Sequence, residues 1–140
     1  MPLASYRSNP LPISSATELA IKIAIEQKAL DVRGFDVRTL TDMADFFVIA
    51  SGTSERHVKG VAEHIFQALA KTGERPLSMS GFESSDWVLL DYGDLVIHLF
   101  YEPARQYYKL DELWQTAAPI PISEELEKAA KRLRTGMYRT

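Results

Sequence analysis

Two aspartates and a histidine lie close together in the segment DYGDLVIHLF, residues 91–100. Asp91 and Asp94 flank a Tyr-Gly pair, and His98 follows in an otherwise apolar run. Two carboxylates that converge on a metal pair can support phosphoryl transfer, and an imidazole can act as a general base. The same residues also suit a β-hairpin that carries one polar side chain on its apolar face. The first interpretation predicts a catalyst and the second predicts a binding surface.

Strand alternation separates these three side chains. Carboxylates converge most easily at i, i+2 on one strand face, whereas Asp91 and Asp94 are three residues apart and straddle a turn. His98 alternates with Val96 and Phe100 and is expected on the same apolar face. Because no nucleophile or third orienting group is in view, the pattern favours a hydrogen-bonded core histidine over a catalytic base.

Two other motifs have the residue types of a ligand site. The turn SGTSERH, residues 51–57, precedes a helix N-terminus that could bind phosphate, but it matches neither GxxxxGK[ST] nor GxGxxG. His57 and His64 lie seven residues apart on one predicted helix, whereas helical zinc sites usually place two histidines four apart. We therefore expect a strand-to-helix turn capped by Thr53 or Ser54, with no metal and no cofactor.

Composition narrows the class of protein. The chain has 140 residues, no Cys and a formal net charge of −3, which suits a single cytoplasmic domain without disulfides. Proteins that wrap nucleic acid usually carry a basic excess, so little direct nucleic-acid binding is expected. No apolar run approaches the roughly 20 residues of a membrane span, and the N-terminus lacks a secretory pattern. A basic protein partner suits this charge better.

Six Trp and Tyr residues lie between positions 87 and 114, where acids outnumber bases. Tyr and Trp dominate binding hot spots, and an acidic aromatic surface complements a basic protein. A plain packed hairpin and helix is the alternative explanation for the same composition. The six residues are Trp87, Tyr92, Tyr101, Tyr107, Tyr108 and Trp114.

Hydrophobic periodicity predicts the elements of the first half of the chain. A helix is predicted over residues 16–28, where Ser15 and Glu18 have the spacing of a capping box. Residues 34–40 alternate like a half-buried strand. Residues 46–51, FFVIAS, are apolar on both faces, so this strand is expected to lie in a sheet with helices above and below.

The second half is predicted to contain a helix, a hairpin and a further helix. The apolar stripe of residues 58–69 predicts a helix that ends at Gly73 in a left-handed conformation. Gly93 supplies the positive φ that the hairpin turn needs, and Pro103 suits the first turn of the next helix. The three predicted strands of this half are residues 75–80, 87–91 and 95–101.

Shifts in composition predict the domain organisation. Residues 1–13 are rich in Pro and Ser and are interpreted as a flexible N-terminal arm. Residues 14–117 are predicted to form one α/β domain with a mixed sheet of about five strands flanked by helices. Residues 118–140 are interpreted as a Pro-punctuated linker followed by an appended C-terminal helix over residues 124–135.

Two long blocks closely resemble the ribosomal silencing factor family, also called the iojap family: DFFVIASGTSERHVKGVAEHI and DWVLLDYGDLVIHLFYEPARQYYKLDELW. The resemblance implies a nucleotidyltransferase-like fold without the catalytic carboxylates, hence no enzymatic activity, cofactor or small-molecule substrate. It implies binding to the large ribosomal subunit through large-subunit protein fourteen. The resemblance further implies that the bound protein occupies the face of the large subunit that meets the small subunit. Occupying this face blocks joining of the small subunit and represses translation. Members of the family also form homodimers, so a homodimer is implied here.

The resemblance also implies a partner surface, which lies largely in the second block. An alternative is a factor for large-subunit assembly or maturation. A less favoured alternative is a nucleotidyltransferase-like enzyme that uses the Gly52–Ser54 turn with Asp91 and Asp94. Carried over residue by residue, the partner-binding positions are Trp87, Asp91, Tyr92, Asp94, Glu102, Arg105, Tyr108, Leu110 and Trp114.

Overall fold

The computed structural model describes residues 14–108, 117–120 and 122. Within these residues the strands form one six-stranded sheet, in the order β3-β4-β5-β2-β1-β6. The helices are α1 (Ser15–Glu26), α2 (Glu55–Lys71) and α3 (Glu102–Tyr108). The strands are β1 (Leu30–Asp36), β2 (Phe46–Gly52), β3 (Ser78–Ser80), β4 (Trp87–Asp91), β5 (Leu95–Tyr101) and β6 (Ala118–Ile120).

The sheet is mixed, as predicted. Strands β2 and β5 are parallel, with Phe46 opposite Leu95 and Gly52 opposite Tyr101, and the other neighbouring strands are antiparallel. Every residue of β2 is buried, as expected for a parallel strand that is covered on both faces. The α/β class with flanking helices is therefore confirmed, while the nucleotidyltransferase-like relationship stays a prediction.

Helices α1 and α2 cover one face of the sheet and form the larger core with it. Val48 of β2 and Ile97 of β5 are fully buried in this core, together with Ile21 of α1 and Ile65 of α2. Burial of each such side chain contributes roughly 1.5–3 kcal/mol. The amphipathic stripe of α2 therefore fixes this helix against the central strands.

The opposite face carries the alternate side chains of the same strands and a smaller core. Phe47 and Ile49 of β2 lie beside Phe100 of β5, and Trp87 of β4 and Ala104 of α3 pack against them. Helix α3 follows β5 directly and lies on this face. We call this the second face of the sheet. The described residues of the predicted partner surface lie mainly on the β4–β5 hairpin and on α3.

Both predicted helix ends can be compared with the structure. The N-cap of α1 is Ser14 rather than Ser15: its Oγ accepts the Thr17 amide at 3.1 Å and meets the Thr17 hydroxyl at 2.8 Å. The predicted capping box is therefore wrong by one residue. At the end of α2, Gly73 has a φ of +91°, and the amide of Glu74 donates to the Leu69 carbonyl at 3.0 Å. This Schellman motif confirms the prediction for Gly73.

The first strand begins and ends earlier than residues 34–40 predict. After Asp36 the chain turns, because the Asp36 carboxylate accepts hydrogen bonds from the backbone and side chain of Arg38. This ion pair lowers the pKa of Asp36. The start of β1 was missed because Asp31 has a left-handed φ of 47° at a register shift, which interrupts the alternation.

Residues 118–120, interpreted as part of a linker, instead form the edge strand β6. It pairs with β1 in antiparallel register, with Ile120 opposite Gly34 and Pro119 opposite Phe35. Gly34 makes this approach possible, since a Cβ there would lie 3.0 Å from Ile120 Cδ1. Proline is tolerated on an edge strand, where a missing amide proton breaks no ladder. The arm at 1–13 and the predicted helix 124–135 lie outside the described residues, so the boundary at residue 117 stays a prediction.

Candidate functional site

The carboxylate of Asp91 holds the hairpin turn. Its Oδ1 accepts the amide of Gly93 at 2.8 Å, and Gly93 has a φ of +90°. The amide of Tyr92 donates to the Leu95 carbonyl at 2.8 Å and closes the turn. The predicted role of Gly93 is confirmed. One of the two carboxylates considered for catalysis therefore has a structural task.

His98 is buried on the second face of the sheet, with 6% of its surface exposed. Its Nδ1 accepts the indole N–H of Trp87 at 3.2 Å, so the ring proton resides on Nε2. Burial lowers the pKa of His98 to about 4, although the Asp91 charge opposes this shift. Nε2 is buried and has no hydrogen-bond partner among the described residues. His98 is thus a neutral core residue near pH 7, on the apolar face that alternation predicts.

Trp87 is half-buried, and its indole ring is held from two sides. The ring stacks on Phe100 with centroids 5.0 Å apart and planes at 29°, and its N–H is fixed by His98. His98 in turn meets Phe47 edge to face at 5.2 Å. An aromatic side chain held in this way loses little conformational entropy on binding, which is typical of hot-spot residues.

Arg105 lies inside the protein, with only 7% of its surface exposed. Its Nη1 donates to the Asp31 carbonyl at 2.8 Å and to Ser51 Oγ at 2.9 Å, and Nη2 lies 3.4 Å from an Asp31 carboxylate oxygen. The guanidinium therefore links α3 to β1 and β2. The family pattern places Arg105 in the partner surface without separating contact from support, and this positioning role could not be read from the sequence.

The predicted partner-binding residues of the β4–β5 hairpin and α3 fall into two groups, one at each end of the hairpin. Trp87 and Glu102 lie at the end where β5 enters α3, whereas Asp91 and Asp94 lie at the hairpin turn. Asp91 lies four residue steps along β4 from Trp87, which corresponds to about 13 Å. Glu102 and Asp94 are exposed. A partner that contacts both groups must therefore span the length of the hairpin.

The other four predicted positions are Tyr92, Tyr108, Leu110 and Trp114. Tyr92 packs against the core beneath α1 and α2, and its buried hydroxyl has no hydrogen-bond partner among the described residues. Burial and the Glu74 charge raise the pKa of Tyr92. Tyr108 closes α3. Leu110 and Trp114 lie outside the described residues.

Side chains of the Gly-Thr-Ser turn and of His57 engage the Thr53 and His57 amides within the protein. Ser54 Oγ accepts the His57 amide at 3.0 Å, which confirms a capped helix start with Ser54 as the cap. His57 Nδ1 accepts the Thr53 amide at 2.9 Å, and its Nε2 donates to the Gln27 carbonyl at 2.8 Å. His57 therefore fastens the end of α1 to the start of α2, rather than leaving these amides open to an anion.

The described part of the chain has neither a metal-ligand cluster nor a membrane-spanning helix. Among residues 14–108, 117–120 and 122, no three His, Asp or Glu side chains are grouped in a way that could hold a metal ion. No helix in those ranges has the length and apolar character needed to cross a membrane. The aromatic face around Trp87, with α3, is the strongest candidate surface.

The sequence and the structure were compared with those of known proteins, and both are similar to members of one family. The family model described as "Ribosomal silencing factor during starvation" matches residues 10–138. A ribosomal silencing factor of Halalkalibacterium halodurans is 32% identical over 105 residues, which are 75% of this chain and 90% of that protein. A crystal structure of a Chromobacterium violaceum protein superposes with a TM-score of 0.72 at 32% identity, covering 75% of this chain and 88% of the other.

A more distant relative comes from an animal. The mouse protein named mitochondrial assembly of ribosomal large subunit protein 1 is 28% identical over 100 residues, which are 69% of this chain and 44% of that protein. The family model spans both blocks that carry the sequence resemblance, and the solved structure shares the fold. This chain therefore belongs to the ribosomal silencing factor family.

Proposed function

We propose that this protein binds the large ribosomal subunit and blocks joining of the small subunit, which represses translation. Family membership over residues 10–138 is the observation that carries the proposal. The partner we propose within the large subunit is ribosomal protein fourteen, as the family resemblance implies. Ribosomal proteins are generally basic, so the net charge of −3 favours the encounter.

The proposed contact surface has its centre at Trp87. The ring is fixed by Phe100 and His98, and the exposed carboxylate of Glu102 lies near the same end of the hairpin. Tyr108, Leu110 and Trp114 extend the proposed surface along the chain. Arg105 supports it from beneath by holding α3, and Asp91 supports it by holding the turn.

The proposed mechanism is steric and needs no chemical step. In support, the candidate base His98 is buried and its pKa is lowered to about 4, while the Asp91 carboxylate caps its own turn. A bound domain of this size covers a face that another subunit must approach. Affinity and position on the large subunit are then sufficient for activity.

Replacing Trp87 tests this proposal. Trp87→Ala should weaken binding to purified large subunits by roughly 1–4 kcal/mol, because a fixed aromatic anchor is lost. Co-sedimentation measures the affinity, a sucrose gradient measures subunit joining, and circular dichroism checks the fold. Lys59→Ala, on the exposed side of α2, is the control. Equal binding by the wild type and Trp87→Ala would refute the placement of the surface.

Large-subunit assembly is a second candidate function, favoured by the similarity to the mouse protein named for that process. The two functions differ in the particle that is bound. An assembly factor would co-sediment with precursor particles and leave mature subunits free to join. A silencing factor would keep mature subunits apart in the same gradient.

A further inference from the structure

Exposed large apolar side chains are gathered at one end of the sheet. The β1–β2 loop, the β4–β5 turn and the start of β3 lie at this end. Scattered single apolar residues are normal on a surface, whereas a grouped set indicates an interaction site. Over the described residues, the exposed large apolar side chains are Leu40 (45%), Met43 (86%), Leu77 (76%) and Met79 (44%).

Two contacts bring the β1–β2 loop, the β4–β5 turn and the segment before β3 together. The amide of Asp45, after the β1–β2 loop, donates to the carbonyl of Asp94 in the hairpin turn at 2.8 Å. On the other side of the turn, Leu77 Cδ1 lies 3.3 Å from the position of a Cβ built on Gly93. The hairpin turn therefore lies between the segment that carries Met43 and the side chain of Leu77. We call this end of the sheet the loop-end surface. Its members are Leu40, Met43, Leu77 and Met79 with the acids Asp42, Asp45, Glu74, Asp91 and Asp94.

The rim of the loop-end surface is acidic. Asp36 and Arg38 form an ion pair with each other, so they add little net charge. Among the described residues of these segments, the remaining bases are Lys71 and Arg75, at and just after the end of α2. They are outnumbered by the acids Asp42, Asp45, Glu74, Asp91 and Asp94. This charge disfavours nucleic acid, whose phosphates would be repelled.

We propose that the loop-end surface is a second docking site, which binds a basic protein segment of the large ribosomal subunit through apolar contacts. The proposal rests on the proposed function, but it concerns a surface separate from the Trp87 ring. Charge complementarity selects this partner over a second copy of the chain. In a two-fold symmetric dimer the same acids would face each other and repel.

Side-chain replacement tests the apolar contacts. The double variant Met43→Ser with Leu77→Ser should raise the Kd for purified large subunits about tenfold, as expected when contact residues are truncated. Both side chains are exposed, so the fold should be retained, which a thermal melt checks. If the wild type binds and the double variant binds equally well, the docking site is refuted and the proposed function stands. If the wild type does not bind, both proposals fail.

Charge reversal tests the acidic rim with a matched control. Asp94→Lys should weaken binding about tenfold, because it opposes a basic partner at the turn. Glu63→Lys makes the same charge change on the exposed side of α2, away from this surface, and should leave the Kd nearly unchanged. Equal losses in the two variants would show an effect of net charge alone and would overturn the proposal.

Cross-linking identifies the neighbour directly, since the chain has no Cys. Met43→Cys labelled with a photoreactive maleimide should cross-link to a protein of the purified large subunit. Lys59→Cys on α2, labelled in the same way, should give no such product. Cross-links from position 43 to ribosomal RNA or to a second copy of the chain would overturn the proposal.

Discussion

At the scale of single residues, the rings of Trp87 and His98 depend on each other. The indole N–H of Trp87 fixes the tautomer of the imidazole, and the buried imidazole fixes the angle of the indole over Phe100. Protonating Nδ1 would break this hydrogen bond and place a charge in a buried site. The orientation of the proposed contact residue therefore depends on a neutral His98.

This coupling predicts a loss of stability in mild acid. The pKa of His98 is about 4 in the folded state and near 6.5 when unfolded, so only the unfolded chain takes up a proton between these values. The free energy of unfolding should fall by about 2 kcal/mol between pH 7 and pH 5 from this residue alone. Urea unfolding of wild type and His98→Gln, which cannot titrate, isolates the effect. The same pH dependence in both proteins would contradict this assignment.

At the scale of elements, the position of α2 depends on a close approach at Gly52. A Cβ on Gly52 would lie 2.7 Å from Val58 Cγ2 and 2.9 Å from the Val58 amide nitrogen, inside the buried helix start. Gly60, in the middle of α2, has no atom within 4 Å of the same construction. The two glycines therefore serve different purposes in adjoining elements.

The two glycines predict opposite effects of one substitution. Gly52→Ala should destabilise the fold by about 1–3 kcal/mol through overpacking. Gly60→Ala should stabilise it by about 0.5–1 kcal/mol, because alanine is the better helix former. Denaturant unfolding of the two variants measures both changes. Destabilisation of similar size at both positions would contradict the packing argument.

Helix α3 is predicted to depend on Arg105 for its position. Arg105→Ala should cost about 1–3 kcal/mol, because Ser51 Oγ and the Asp31 carbonyl lose a buried donor. Limited proteolysis after α3 should become faster, and binding to large subunits should weaken even though Arg105 is buried. Gln106→Ala, at the exposed neighbouring position, should match the wild type. A variant with unchanged proteolysis and unfolding would exclude the positioning role.

Local patterns explain which of these features the sequence could predict. The stripe of α2, the hairpin turn at Gly93 and the apolar strand face that carries His98 follow from periodicity within a few residues, and each was predicted correctly. The sequence does not decide between a core role and a contact role for His98. Strand β6 has three residues with a Pro, which a local pattern does not distinguish from a linker. The role of Arg105 depends on a carbonyl 74 residues earlier in the chain, and no local pattern contains that pairing.

At the scale of the whole molecule, the β4–β5 hairpin contributes to two separate surfaces. Trp87 and α3 lie on the second face of the sheet, whereas the hairpin turn belongs to the loop-end surface, together with Leu77 and Met43. The two proposed contact regions, about 13 Å apart along the hairpin, would constrain the orientation of the domain better than one region can. A factor that acts by obstruction needs that orientation, because its bulk must stand where another subunit approaches.

Such an acidic factor should bind with a marked dependence on salt. Raising the ionic strength from about 0.05 to 0.2 M shortens the screening length to below about 10 Å, so the association rate with large subunits should fall about tenfold. Stopped-flow fluorescence of a labelled protein measures this rate. Glu102→Lys, at the exposed start of α3, should flatten the salt dependence, whereas Glu63→Lys on α2 should change it less. A rate independent of salt would mean that apolar contact alone drives the encounter.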